Sequence, residues 1–172
     1  MTANTAAVSE LERATMRRVA WRILPFLIVC YLIAIIDRGN IGMASLQMND
    51  DLGLSARVFG FASSLFFFAY FLVEVPSNLA MQKFGARIWI ARIMVTWGLV
   101  SAGTAFVVGP YSLYVMRFLL GAAEAGFFPG VLLYLTYWLP SAYRARMVAI
   151  FMVAIPAANF IGSPLSLSLI HI

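Results

Sequence analysis

Long apolar stretches separated by short polar ones decide what this chain can fold into. They lie at about residues 23–48, 58–81, 88–107, 112–138 and 147–166. Crossing the hydrocarbon core of a bilayer takes about 20 helical residues, and each stretch is long enough. Composition agrees. Hydrophobic residues make up 63% of the chain, charged residues 11%, and the mean hydropathy is +0.90. A soluble domain of 172 residues has too much surface for its volume to bury so much apolar area. A soluble enzyme, a disordered tail and a disulfide scaffold are thereby excluded. An all-α polytopic membrane protein remains, and length alone allows five or six spans.

Residues 1–20 are polar and carry Glu10, Glu12, Arg13, Arg17 and Arg18. They imitate the start of a signal peptide. The following apolar run meets Asp37 and Arg38 with no small-x-small site before them, so no cleavage is expected. Ile23 to Ile36 is too short to cross, and the apolar pattern resumes from Ile41 to Met48. One helix over 23–48 is expected, with Asp37-Arg38-Gly39-Asn40 inside it. Asn49 to Gly53 reads as a turn, Gln82 to Arg87 as a short basic loop, and Gly109-Pro110 and Pro140 as span ends. A partial membrane bundle is thus expected over 21–166. The tail 167–172 fits the codons CTG TCT CTT ATA CAC ATC, a transposon end used in preparing sequencing libraries. It is expected to be non-native, and His171 receives no functional weight.

Basic residues orient the bundle. Arg13, Arg17, Arg18, Arg22, Lys83, Arg87, Arg92, Arg144 and Arg146 fall on the side of the N-terminus, against Arg57 alone on the other. The N-terminus is therefore expected to be cytoplasmic, with Trp21, Trp89, Trp138 and Tyr143 as an aromatic belt. The net charge of +5 belongs to these loops and signals no nucleic-acid partner. The single cysteine, Cys30, has no partner for a disulfide or a metal and reads as a small lipid- or core-facing hydrophobe. No metal or cofactor is expected. There is also no Ser-His pair or phosphate loop to suggest an intramembrane enzyme.

Ionisable groups inside a bilayer cost several kcal/mol unless paired or hydrated. Five invite a functional reading: Asp37, Arg38, Glu74, Arg117 and Glu124. At the helical rise, Asp37 lies about 16 Å below the outer end of its span and Glu124 about 18 Å below its own. The two carboxylates thus share a depth near the midplane. Arg117 precedes Glu124 by almost two turns, with Gly121 between them on one stripe, leaving room for a ligand or another helix. A water-filled cavity between spans one and four would let arginines hold an anion by charge-assisted hydrogen bonds. Low dielectric favours a neutral acid and a nearby arginine favours a carboxylate, so an anion competing for the arginine favours proton uptake. The structural alternative is a pair of buried ion pairs, Asp37 with Arg117 or Arg38 with Glu124, that only hold helices together. Glu74, beside Pro76, reads more readily as an interfacial or inter-helix partner. Tyr70 reads as a packed tyrosine or a hydroxyl donor to the cavity. Gly126-x-x-x-Gly130 reads as a packing motif, and Pro129 is expected to kink span four.

These residues also fall into longer motifs. Asp37-Arg38-Gly39-Asn40-Ile41-Gly42 resembles the D-R-x-N-I-G signature in the first helix of the anion:cation symporter family of the major facilitator superfamily. Glu74-Val75-Pro76-Ser77-Asn78-Leu79 is similar to the end of that family's second helix, and Arg117 through Gly130 to its fourth. Tyr137-Trp138-Leu139-Pro140 and Tyr143-Arg144-Ala145-Arg146 resemble the loop that follows. The resemblance covers about residues 13–166. It implies proton-coupled uptake of organic anions such as tartrate, sugar acids or aromatic acids across the inner membrane, by a carrier of about twelve helices in two halves, monomeric when complete. Spans one and four would be mates in inverted three-helix repeats. By resemblance, Asp37 and Glu124 are proton-coupling carboxylates and Arg38 and Arg117 are substrate-side arginines; Asn40 and Tyr70 complete the candidate substrate contacts. The superfamily's loop pattern G-x-x-x-D-R-x-G-x-R has Gln82 here in place of its aspartate, while Gly85 and Arg87 are kept. The usual gating latch is thereby put in question. The alternative in another class is a membrane-embedded structural or assembly subunit that transports nothing.

Overall fold

The computed structural model describes the backbone of residues 2–51 and 53–170 and the side chains of 10–43 and 53–165. The expected non-native tail, including His171, lies outside the described side chains. Among the described residues, all regular structure is helical: α1 (Thr2–Asp51), α2 (Ala56–Phe84), α3 (Ala86–Gly103) with a 3-10 turn at Thr104–Phe106, α4 (Pro110–Glu124), α5 (Phe127–Trp138), α6 (Ser141–Met152) and α7 (Ala154–Ile170). They make five segments long and apolar enough to cross a membrane: Glu10–Met43, Ala56–Phe84, Ala86–Phe106, Pro110–Trp138 and Ser141–Leu165.

Local chemistry explains the boundaries. Ser55 caps α2, its side chain accepting from the Val58 N–H at 3.3 Å. Ser112 Oγ accepts from the N–H groups of Val108 and Gly109, and Pro110 opens α4 at the first position, where a missing N–H costs nothing. The basic loop expected at Gln82 to Arg87 is much shorter. α2 continues to Phe84, and Gly85 alone joins it to α3, with φ +87° and its N–H on the Met81 carbonyl at 2.9 Å. Only glycine adopts that backbone conformation without strain. α1 likewise runs unbroken through the polar N-terminal segment and through Asp37 to Asn40, and continues to Asp51.

Span four is interrupted, whereas span five stays helical throughout. Span four breaks at Ala125-Gly126, where Gly126 is left-handed at φ +86°. Pro129, expected to kink this span, sits in the first turn of α5 instead. Having no N–H, it leaves the Ala125 carbonyl, four residues back, without its helical donor. Ser77 Oγ of α2 donates to that oxygen at 2.9 Å and accepts from Trp89 Nε1 of α3 at 3.0 Å. Pro156 stands in the same place in α7, but there Val153 keeps helical φ −61° and ψ −20°, and span five only tightens by one residue.

Packing follows small residues. α4 lies against α2 so closely that a Cβ at Gly121 would run into the Phe66 carbonyl, and one at Gly126 into the Ser77 side chain. Gly121 therefore makes room for a helix, not a ligand, and Gly126 and Gly130 pack on Ser77 and Met81 as the motif suggests. The main core joins Leu24, Leu27 and Tyr31 of α1 to Ile90 and Ile93 of α3, Phe127, Val131 and Leu135 of α5 and Phe151 of α6. Cys30 is buried in it. α2 meanwhile exposes Phe67, Phe68, Phe71, Leu72, Val75 and Leu79. A continuous apolar face of this kind suits lipid and would be unstable in water.

Candidate functional site

Asp37 and Arg38 are neighbours on α1, about 100° apart around the helix, so they address different partners. Arg38 turns toward span four. Its Nε lies 2.9 Å from Glu124 Oε1, at the last residue of α4, where the Glu124 side chain is 3% exposed. The approach is off-line, so it is an ion pair and not an aligned hydrogen bond. Glu124 Oε2 is buried and accepts no hydrogen bond among the described residues. The Arg38 guanidinium also lies over the rings of Tyr70 and Phe66, 5.3 and 5.7 Å from their centroids. Cation–π attraction thus supports it from α2.

Asp37 turns toward α3. Trp97 Nε1 donates to its Oδ2 at 3.1 Å, and Ser101 Oγ donates to its Oδ1 at 2.7 Å. Trp97 and Ser101 are one turn apart, so both reach the same carboxylate. Arg117 is 5% exposed on α4, and among the described residues no carboxylate comes within 4 Å of it. Asp37 and Glu124 act on it electrostatically from farther away. Of the two ion pairs the sequence leaves open, Arg38–Glu124 forms and Asp37–Arg117 does not.

The structure thus brings together Asp37, Arg38, Tyr70, Arg117 and Glu124 among α1, α2, α3 and α4. Glu74, Gln82 and Arg87 lie outside this group. Asn40 is partly buried one turn after Asp37, on the same side of α1. Glu74 is partly buried one turn beyond Tyr70, and its backbone carbonyl accepts from Asn78 Nδ2 at 2.9 Å. Gln82 and Arg87 are exposed at the ends of α2 and α3, beside the Gly85 joint. Arg87 lines a groove of about 470 Å³ with Arg22 and Tyr134.

Trp97 and Ser101 escape a reading that weighs only ionisable residues. Their signal is a hydrogen-bonding pair at i and i+4 within span three, facing a span with a buried acid. Ser77 escapes for a subtler reason: its acceptor exists only because Pro129 lacks a proton. No cluster of three or more potential metal ligands occurs among the described residues. What the site holds is two acids, one guanidinium attached loosely to a carboxylate, and a second with no direct carboxylate. Such a site can exchange an internal carboxylate for an external one.

Comparison of the sequence with known proteins places the chain in a family. Residues 27–172 match the family model of the Major Facilitator Superfamily. The chain is 56% identical over 158 residues to a protein of Agrobacterium vitis provisionally named a tartrate transporter, covering 92% of this chain and 36% of that one. It is 46% identical over 157 residues to the quinolone resistance transporter of Acinetobacter baumannii, covering 91% and 36% respectively. With the inner membrane transport protein RhmT of Escherichia coli it shares 38% identity over 158 residues, 92% of this chain and 37% of that one. The chain thus spans just over a third of the length of the curated relatives it matches. With five membrane-crossing segments and a family match over most of its length, the chain is multi-pass and belongs to the major facilitator superfamily.

Proposed function

We propose that the protein of which this chain forms part is a proton-coupled secondary transporter that imports a small organic anion by alternating access. The observation that carries the reading is the Arg38–Glu124 contact: among the described residues, a buried acid with one cationic partner and no hydrogen bond to its second oxygen. An incoming carboxylate competes for Arg38 and finds Arg117 without a direct carboxylate. Glu124, deprived of its counter-charge in a low-dielectric site, then holds a proton more readily than a charge. Anion arrival and proton uptake become one event. Asp37 and Glu124 are the proton-coupling residues in this scheme, and Arg38, Arg117, Tyr70 and Asn40 the substrate contacts. Gln82, Gly85 and Arg87, at the joint between α2 and α3, would form the gating element.

Two guanidiniums suit a hydroxy-dicarboxylate, sugar acid or aromatic acid. The name of the Agrobacterium vitis relative supports the first. The name of the Escherichia coli relative supports an inner-membrane location, and the basic residues of one bundle end support a cytoplasmic N-terminus.

The test uses the full-length protein in proteoliposomes with a panel of labelled organic acids. Glu124→Gln is expected to all but abolish accumulation driven by a pH gradient and Asp37→Asn to weaken it; normal gradient-driven uptake in both variants sinks the proposal. The Arg38–Glu124 contact also favours a second, purely structural reading. Exchanging the pair (Arg38→Glu with Glu124→Arg) separates the two: a structural pair tolerates the exchange, whereas a transporter inserts normally and loses uptake.

A further inference from the structure

The break in span four directly follows Glu124, and it is held from outside the span. Ser77 is 2% exposed. Its hydroxyl bridges Trp89 Nε1 of α3 and the Ala125 carbonyl of span four, at 3.0 and 2.9 Å. Ala125 is extended, with φ −57° and ψ +133°, and the following Gly126 is left-handed. Both conformations depart from the helix at the residue that carries the carboxylate's backbone onward. Pro129 removes the donor that would close the helical ladder on Ala125. A buried carbonyl with no donor is costly, so the break needs a donor from elsewhere. Ser77 supplies it, and Trp89 fixes the direction of the hydroxyl proton by occupying the oxygen from the other side. Gly126 admits Ser77 because it has no side chain, a Cβ there meeting both Ser77 Cβ and Oγ.

We propose that Ser77, oriented by Trp89, is a positioning residue: it pins the break at Ala125-Gly126 and thereby sets the Glu124 carboxylate against Arg38. The inference rests on the transport reading for its effect on turnover, but not for its effect on geometry. Without the pin, α5 and α4 rotate relative to each other about Gly126, and Glu124 at the end of α4 loses its fixed approach to α1.

The experiment uses full-length protein carrying spin labels at Val115→Cys on α4 and Tyr137→Cys on α5, both exposed positions, in a background otherwise free of cysteine. Ser77→Ala is expected to shift or broaden the distance distribution between the labels, and Trp89→Phe to do so less. The double variant is expected to match Ser77→Ala, because the indole acts only through the hydroxyl. In proteoliposomes Ser77→Ala is expected to lower kcat for anion uptake about tenfold with KM within about twofold of the parent, as loss of a buried hydrogen bond remote from the anion should. An unchanged label distance in Ser77→Ala overturns the pin. So does additive behaviour of the two single variants, or a rise in KM at constant kcat. If instead Glu124→Gln retains gradient-driven uptake while Ser77→Ala still moves the labels, the transport reading fails and the pin stands.

Discussion

The two carboxylates, Glu124 buried and Asp37 partly buried, are held in opposite ways. Asp37 accepts from two neutral donors on one turn of α3, the Trp97 indole and the Ser101 hydroxyl. Among the described residues, Glu124 has one cation, Arg38, approaching one of its oxygens, and no hydrogen bond on the other. Neutral donors fix a carboxylate without cancelling its charge, and an arriving anion does not compete for them as it does for a guanidinium. A lone guanidinium cancels the charge and can be drawn away. The comparison therefore assigns different work to the two acids. Asp37 is the acid held in place by α3, and Glu124 is the acid whose partner an anion can draw away.

That division makes graded predictions in full-length protein. Glu124→Gln removes the exchangeable charge and leaves Arg38 uncompensated, so gradient-driven accumulation should fall about a hundredfold, measured as the internal-to-external ratio of labelled anion. Asp37→Asn removes the charge but keeps an acceptor oxygen for Trp97, while the Ser101 hydroxyl can accept from the amide. A drop of about tenfold in the same assay is expected, and a loss equal to that of Glu124→Gln would break the asymmetry. Arg38→Lys keeps the charge but loses the planar fork and its stacking over Tyr70; KM for the anion should rise about fivefold in initial-rate measurements. Trp97→Phe takes one of the two donors from Asp37 and should cost about 1 kcal/mol of stability in detergent with uptake reduced no more than about threefold. A larger loss of uptake than in Arg38→Lys would reverse the roles proposed for the two acids.

Much of this was readable from residue order, and the reasons for the rest are physical. Five apolar stretches give five crossing segments because a bilayer demands internally satisfied backbone over a fixed thickness. The buried charges stand out for the same reason. Rotation of one span about its axis is another matter, because a helix apolar on every side carries little periodic signal. Gly121 could equally have faced a ligand, and only the packed structure sets it on Phe66. Trp97 and Ser101 are ordinary in an apolar helix until an acid is placed opposite them. Pro129 announced a distortion, but its effect is felt four residues earlier, at the carbonyl it fails to satisfy, and the break settles where Gly126 can turn left-handed. The loop at Gln82 to Arg87 looked longer because polar residues were counted as loop, while helices readily carry them past the apolar boundary.

The single residue between α2 and α3 has mechanical meaning. Consecutive Cα atoms are about 3.8 Å apart, so a one-residue connection leaves these two long helices almost no slack at that end. α2 carries Tyr70 beneath Arg38 and Ser77 beneath the span-four break; α3 carries the two donors to Asp37 and the indole that steers Ser77. Gly85 ties all of these to one hinge point. The two helices form a single cradle around both acids, and a movement that tilts one edge is carried to the other.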